Sequence, residues 1–141
     1  FELLGFVGPA VAAHVQETLN RAFGPQRFPV NENLKRMVEA NIPSIYTGEP
    51  PNLKVNPALK DLWQKKGEKD FRKEEITERV LTNLTREIDL IMQEQVVGDT
   101  RDVDLAMIMG AGWPFFMGGV TMYLDMAGYT PKVLQKVFFT F

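Results

Sequence analysis

Histidine and cysteine, two side chains that often act in catalysis, are almost absent from this sequence. The chain has a single histidine, His14, and no cysteine, which excludes disulfides, thiolate metal sites and cysteine nucleophiles. His14 lies at the edge of an apolar helical stripe, and the sequence supplies no partner that would orient it. We therefore expect a surface or boundary histidine and not a general base.

Two aspartates, Asp102 and Asp104, are the other candidates for chemistry. On a helix, residues two positions apart point about 200° from each other, so these carboxylates cannot share a metal or acid–base site. We expect Asp102 to interact with the helix dipole from the first turn and Asp104 to hydrogen-bond to a neighbouring helix.

The composition is that of an ordinary globular chain of 141 residues, with 45% hydrophobic residues and a net charge of −2. This length fits one domain or two joined half-size units. The small negative net charge does not indicate a nucleic-acid-binding surface. The uncharged run 105–124 is interrupted by glycines and a proline, so we predict no membrane span. No signal peptide is visible, which together with the missing cysteines favours a cytoplasmic protein. The absence of an initiator methionine suggests a piece of a longer chain.

Helical periodicity dominates, and no convincing strand pattern is present, so we predict an all-α fold. Proline-rich residues 43–57 predict an extended connector, in which 44–47 could form a short extended pairing. The predicted helices begin near Pro9, Asn31, residue 74, Asp99-Thr100 and Pro131. The stripes predicted to face inward comprise Val11, Val15, Leu19, Ala22 and Phe23 in the first helix, Ile76, Val80, Leu84, Ile88 and Ile91 in the long helix 74–96, and Val133, Leu134, Val137 and Phe138 at the end.

Residues 104–128 form the most distinctive segment, a helix that runs into a bend and re-enters a helix. We predict that the bend and its flanks pack against a neighbouring helical half, with its glycines allowing close backbone approach. The surrounding methionines and aromatics are expected mainly to fill the core, although an acyl-chain groove is an alternative. The residues of this predicted inter-unit packing elbow are Gly110, Gly112, Trp113, Pro114, Gly118, Gly119, Asp125 and Gly128.

An ordered set of motifs resembles the C-terminal helical domain of 3-hydroxyacyl-CoA dehydrogenases, in the duplicated form of multifunctional fatty-acid oxidation proteins. The motifs, in chain order, are Arg79 with Glu87, Asp102-Val-Asp104-Leu-Ala106, Gly110-Ala-Gly112-Trp113-Pro114, Gly118-Gly119 and Asp125-Met-Ala-Gly128. The resemblance implies a bundle of the 6-phosphogluconate dehydrogenase C-terminal-like type with two pseudo-repeated units. Residues 1–49 would be the closing half of the first helical unit. Residues 50–73 would be a linker, and residues 74–141 would be the second helical unit. A weak internal echo, which pairs Glu2 with Asp125 and Gly5 with Gly128, fits this duplication.

For the intact enzyme, the resemblance implies NAD-dependent oxidation of an L-3-hydroxyacyl-CoA. Implied partners are an upstream dinucleotide-binding domain, the acyl-CoA substrate, and a second copy or a thiolase subunit. The sequence departs from the motifs of this family in three places, which limits the functional roles that the resemblance implies for its residues. Glu78 precedes Arg79 where the catalytic unit of the family has Asn, residues 41–46 replace a Gly/Lys-rich turn, and no Gly-x-Gly-x-x-Gly follows a strand. We therefore expect no catalytic, cofactor-binding or metal-binding residue in this chain.

Two alternatives stay open. An autonomous helical interaction module could dock a partner through the 113–126 face, and a native start near residue 1 would favour it. A small acyl-CoA- or lipid-binding protein is the other, and protection of the Trp113 fluorescence by a long-chain acyl-CoA would favour it.

Overall fold

The fold is built from short helices, arranged in two compact units. The structure is a computed structural model that describes residues 2–63 and 70–139. The units are Phe1–Glu68 and Lys69–Phe141, and each has its own hydrophobic core.

The first unit surrounds a small core with three helices, a hairpin and a final helical turn. The core side chains Leu34, Met37, Ile45 and Leu59 are all buried. Asn31 caps α3, because its side chain accepts a hydrogen bond from the Asn33 amide at 3.0 Å. The elements are α1 (Glu2–Val7), α2 (Pro9–Phe23), α3 (Glu32–Glu39), β1 (Tyr46–Thr47), β2 (Lys54–Val55) and α4 (Leu59–Leu62).

The apolar stripe predicted for α2 is wrong, because Leu19 is partly buried and its other four residues are exposed. Val11 and Val15 are about half exposed, with 53% and 48% of their surface accessible. Instead Ala12 and Ala13 pack against the core of the unit. Alanine side chains are small, so they let α2 lie close to α3, and the larger valines are left on the outer face.

The first unit extends past residue 49, the end expected from the sequence. β1 and β2 pair antiparallel, with Tyr46 opposite Val55, as the short pairing predicted for 44–47 requires. Leu59 is then buried in the same core, so much of the predicted 50–73 linker belongs to this unit. Residues 64–69 of that linker lie outside the described residues.

The second unit packs four helices and a 3₁₀ turn around a separate core. Its buried side chains are Leu81, Ile88, Val103, Val120 and Leu124. The elements are α5 (Lys73–Gln93), α6 (Thr100–Gly110), the 3₁₀ turn Phe115–Met117, α7 (Val120–Met126) and α8 (Tyr129–Leu134). The predicted cap of α6 is confirmed, because the Asp99 side chain accepts from the Arg101 amide at 2.8 Å.

The stripe predicted for α5 is wrong at its start and confirmed farther along, since Ile88 is buried and Leu84 and Ile91 pack against the core. Ile76 and Val80 are more than half exposed, whereas Leu81, Thr85 and Ile88 are buried. Thr85 can occupy the interior because its hydroxyl donates a hydrogen bond to the Leu81 carbonyl at 2.8 Å. The sequence pattern did not include Thr85 because its residue type is polar.

The all-α prediction holds at the level of a mostly helical chain with one two-stranded sheet. α8 begins at Tyr129, two residues before the predicted Pro131, and it ends at Leu134. Val137, predicted to face inward, is therefore beyond the helix and largely exposed. None of the helices in the described residues combines the length and hydropathy needed to cross a bilayer.

Candidate functional site

Asp104 joins α6 to the start of α7. Its Oδ1 accepts a hydrogen bond from the Thr121 amide at 2.7 Å, and its Oδ2 accepts one from the Thr121 hydroxyl at 2.8 Å. Thr121 is fully buried. The carboxylate thus satisfies an amide in the first turn of α7 that has no partner within its own helix, and its charge lies at the positive end of the helix dipole. The predicted bond from Asp104 to a neighbouring helix is confirmed.

Gly119 is a glycine because Asp104 occupies the space where a side chain would be. A Cβ at position 119 would lie 2.0 Å from Asp104 Oδ2 and 2.2 Å from Asp104 Cγ. This neighbour is a side chain of the same unit, so the close backbone approach predicted for the four glycines of the bend stays a prediction. A Cβ at Gly110, Gly112 or Gly118 would meet nothing within 4 Å.

The bend between α6 and α7 is held by Trp113. Its indole Nε1 donates a hydrogen bond to the Gly118 carbonyl at 3.0 Å, and its ring meets Tyr123 edge-to-face with centroids 5.4 Å apart. Gly112 and Gly118 have φ values of 72° and 75°, which explains glycine at both turns. Pro114, at the start of the 3₁₀ turn, has φ −63°, which a proline ring fixes.

Asp125 fastens the C-terminal segment to α7. Its carboxylate accepts the backbone amides of Phe138 at 3.0 Å and Phe139 at 2.9 Å. Gly128, at the junction of α7 and α8, is left-handed with φ 80°. Gly5, its partner in the predicted internal echo, lies inside α1. The echo therefore does not place both glycines at junctions between helices.

Several large apolar side chains around the bend are exposed. Core filling was expected for them, and it holds for Trp113 and Tyr123 but not for the exposed set. Phe115 and Phe116 are each 78% accessible and stack edge-to-face on each other. The exposed set comprises Met109, Phe115, Phe116, Met117 and Met126, and Leu105 on α6 is exposed as well. Exposed apolar side chains in such number are typical of a surface that contacts another molecule or domain.

A polar cluster links α5 to α8. The Lys132 ammonium group donates a hydrogen bond to the Glu78 carboxylate. This bond holds the pKa of Glu78 below its usual value and raises the pKa of Lys132. Desolvation and then the charge of Glu78 raise the pKa of the Tyr129 phenol. Glu78, the residue that departs from the catalytic pattern of the family, thus has a structural partner.

The Asp104 and Asp125 carboxylates accept hydrogen bonds from backbone amides and do not converge on a common site. In the described ranges, no group of three or more His, Asp or Glu side chains is placed to bind a metal ion. His14, in the first unit, is exposed, as predicted. Thr121 and the amides of 138–139 were missed by the sequence reasoning, because no local spacing relates them to Asp104 and Asp125.

A stretch of 68 residues, 48% of this chain, is homologous to part of the fatty acid oxidation complex subunit alpha. It is 38% identical to that subunit in Acinetobacter baumannii strains SDF, AYE and ACICU. The matched stretch covers 10% of each relative, so this chain spans a small part of their length. No family model matches the chain.

Proposed function

We propose that this chain is the C-terminal helical region of a multifunctional 3-hydroxyacyl-CoA dehydrogenase of fatty-acid β-oxidation, with a structural and not a catalytic role. The observation that carries the proposal is the homology to the fatty acid oxidation complex subunit alpha. The contacts of the second unit support it. Asp104, Gly119 and Asp125, all within the motifs of the resemblance, serve the packing of helices.

The resemblance implies NAD as the cofactor of the intact enzyme, and we expect it to bind outside this chain. Dinucleotides bind at the carboxyl ends of parallel strands, next to a glycine-rich turn that opens a helix. The described strands are two residues each and antiparallel. The cofactor would therefore bind an upstream domain of the same chain, and that domain would supply the catalytic groups.

The remaining parts of the proposal concern the intact protein. The second helical unit would cover the substrate cleft as a dimer partner does in simpler dehydrogenases. The residues of the elbow, 110–128, would form its contact with the first unit. Acyl-CoA would be the substrate, a thiolase subunit or a second copy would be the partner, and the protein would be cytoplasmic.

Calorimetric titration of the 141-residue chain with NAD tests the structural role. We expect no measurable heat of binding, whereas a longer protein that includes the upstream region binds NAD and oxidises a 3-hydroxyacyl-CoA. A micromolar dissociation constant for NAD in the short chain would contradict the proposal. A longer protein without dehydrogenase activity would contradict the assignment to this enzyme class.

The second candidate is an interaction module that docks a partner through the 113–126 face. The exposure of Phe115, Phe116 and Met126 favours it. The encoded residues before Phe1 discriminate between the two candidates. A dinucleotide-binding domain there supports the dehydrogenase, and a native start near residue 1 supports the independent module.

A further inference from the structure

α2 carries apolar side chains on two sides, and only one of these sides is covered. Ala12 and Ala13 pack against the core of the first unit. Val11 and Val15, on the other side, are 53% and 48% accessible. Apolar side chains exposed together are typical of a surface that contacts another element. We call this exposed side the α2 outer row, and it consists of Val11, Val15, Thr18 and Ala22.

The α2 outer row has the spacing of a helix–helix contact. Its residues are separated by four, three and four positions, so they lie along one side of α2 over about 16 Å. None of them is charged, so a neighbour can cover the row without burying an unpaired charge. All of them are small or β-branched, which allows a second helix to pack closely. One helix of about three turns is sufficient to cover the row.

An apolar cavity adjoins the α2 outer row at the start of the helix. It has a volume of about 410 Å³, and it is lined by Val7 and Val11 together with Val38 and Ile42. Asn41 is the only one of its lining residues, within the described part of the chain, that has a polar side chain. Apolar side chains from a covering helix would be removed from water in this cavity, which favours binding there.

The position of this surface favours residues upstream of Phe1 as its occupant. Phe6 and Val7 belong to α1, the first helix of the chain, and are 90% and 47% accessible. A longer chain that enters α1 from upstream therefore passes within a few residues of the cavity. The stretch matched to the fatty acid oxidation complex subunit alpha covers 10% of each relative, so most of each relative lies outside it. A segment of the same chain also binds at a high effective concentration, which a separate partner lacks.

We propose that an amphipathic helix from the residues that precede Phe1 in a longer protein packs against the α2 outer row and places apolar side chains in the adjoining cavity. This inference rests on the proposed function, in which the chain continues upstream of Phe1. It also accounts for the disagreement at Val11 and Val15 between sequence and structure. These valines have the pattern of an inward-facing stripe because, in the longer protein, they face the upstream helix.

Thiol labelling tests the proposal, because this chain has no cysteine of its own. Val11→Cys and Val15→Cys each place one thiol in the α2 outer row, both in the 141-residue chain and in a longer protein that includes the upstream region. We expect the rate of reaction with N-ethylmaleimide to be at least about tenfold lower at both positions in the longer protein, because a covered thiol reacts only when the covering helix opens. Peptide mass spectrometry measures each position separately from any upstream cysteine.

Val55→Cys is the matched control. Val55 is a valine of the same unit, lies on β2 and is 62% accessible. Its labelling rate should differ by less than about twofold between the two proteins. A second variant tests the cause of the protection. Adding Val15→Asp to Val11→Cys in the longer protein should restore the fast rate, because the upstream helix would have to bury a charge.

The outcomes separate this proposal from the proposed function. Equal Val11→Cys rates in the two proteins would overturn the upstream helix, and the proposed function survives that result if the longer protein still binds NAD and oxidises a 3-hydroxyacyl-CoA. Labelling of the short chain that slows as its concentration rises would assign the row to a second copy. Equal slowing at all three positions would indicate aggregation of the longer protein. Either result contradicts the upstream helix, and a native start near residue 1 would overturn both proposals.

Discussion

Replacing Gly119 by alanine should disrupt the contact between α6 and α7. The new Cβ would lie 2.0 Å from Asp104 Oδ2 and 2.8 Å from Asp104 Cβ. Because the Cβ atom of residue 104 is fixed by its helix, rotation of the carboxylate alone cannot relieve the second contact. The Asp104 side chain must therefore leave Thr121, and α6 and α7 must move apart.

The cost follows from the contacts that are lost. Overpacking of a close contact costs about 1–3 kcal/mol. Losing hydrogen bonds to a charged acceptor, with the Thr121 hydroxyl left buried, adds about 1–3 kcal/mol. The two costs are not additive, because moving the Asp104 side chain away relieves part of the overpacking. We therefore expect the free energy of unfolding of the second unit to fall by about 2–4 kcal/mol.

Urea denaturation followed by Trp113 fluorescence measures this loss. In a Trp63→Phe background the signal reports the second unit alone. Gly110→Ala is the matched control, because a Cβ at Gly110 meets nothing within 4 Å and its φ is not positive. Alanine is the better helix former, so the control should be neutral or stabilised by up to about 1 kcal/mol.

A double-mutant cycle with Asp104→Ala tests whether contact with the Asp104 side chain causes this loss. Removing the carboxylate eliminates the shortest contacts, so Gly119→Ala should cost at least about 1 kcal/mol less in that background. Additive effects of the two substitutions, or a Gly119→Ala midpoint equal to that of the Gly110→Ala control, would show that the described contact does not exist.

Two further predictions concern buried hydroxyls and a helix cap. Thr121→Val should lower the free energy of unfolding by about 1–3 kcal/mol, whereas Thr130→Val should be neutral or stabilising, because the buried Thr130 hydroxyl has no hydrogen-bond partner among the described residues. Equal midpoints in urea would contradict this. Hydrogen bonds from the Arg101 side chain and backbone lower the pKa of Asp99 to about 2. The stabilisation from ionised Asp99 is thus complete above a pH of about 4 and is lost as the pH falls toward 2. Carboxyl ¹³C titration should show the low midpoint in the parent chain and a midpoint closer to 3.8 in Arg101→Gln.

Local signals in the sequence were sufficient for the helix caps and turns. Asn31 and Asp99 were recognised as helix starts because capping depends on residues two or three positions apart. The glycines of the bend were recognised for the same reason. In each case the cause and its effect lie within one turn of the chain.

The buried face of each helix, and the hydrogen bonds between residues far apart in the sequence, were harder to predict. Hydrophobicity placed Ile76 and Val11 inward, but the neighbouring helices cover the faces that carry Thr85 and Ala12. Burial of a helix face is decided by which element lies against it, and periodicity alone does not contain that information. The homology to the fatty acid oxidation complex subunit alpha agrees with the resemblance of the motifs, which suggests that their order was more informative than hydrophobic pattern.

The hydrogen bonds from the C-terminal backbone to Asp125 determine which substitutions the C-terminal segment can accept. Because the carboxylate binds backbone amides of residues 138 and 139, side-chain identity at Phe139 is free to vary in a mutational library. Proline is the exception at both positions, since it lacks the amide hydrogen. Deletion of Phe139 removes one of these amides and should already be deleterious, and further deletion of Phe138 removes both.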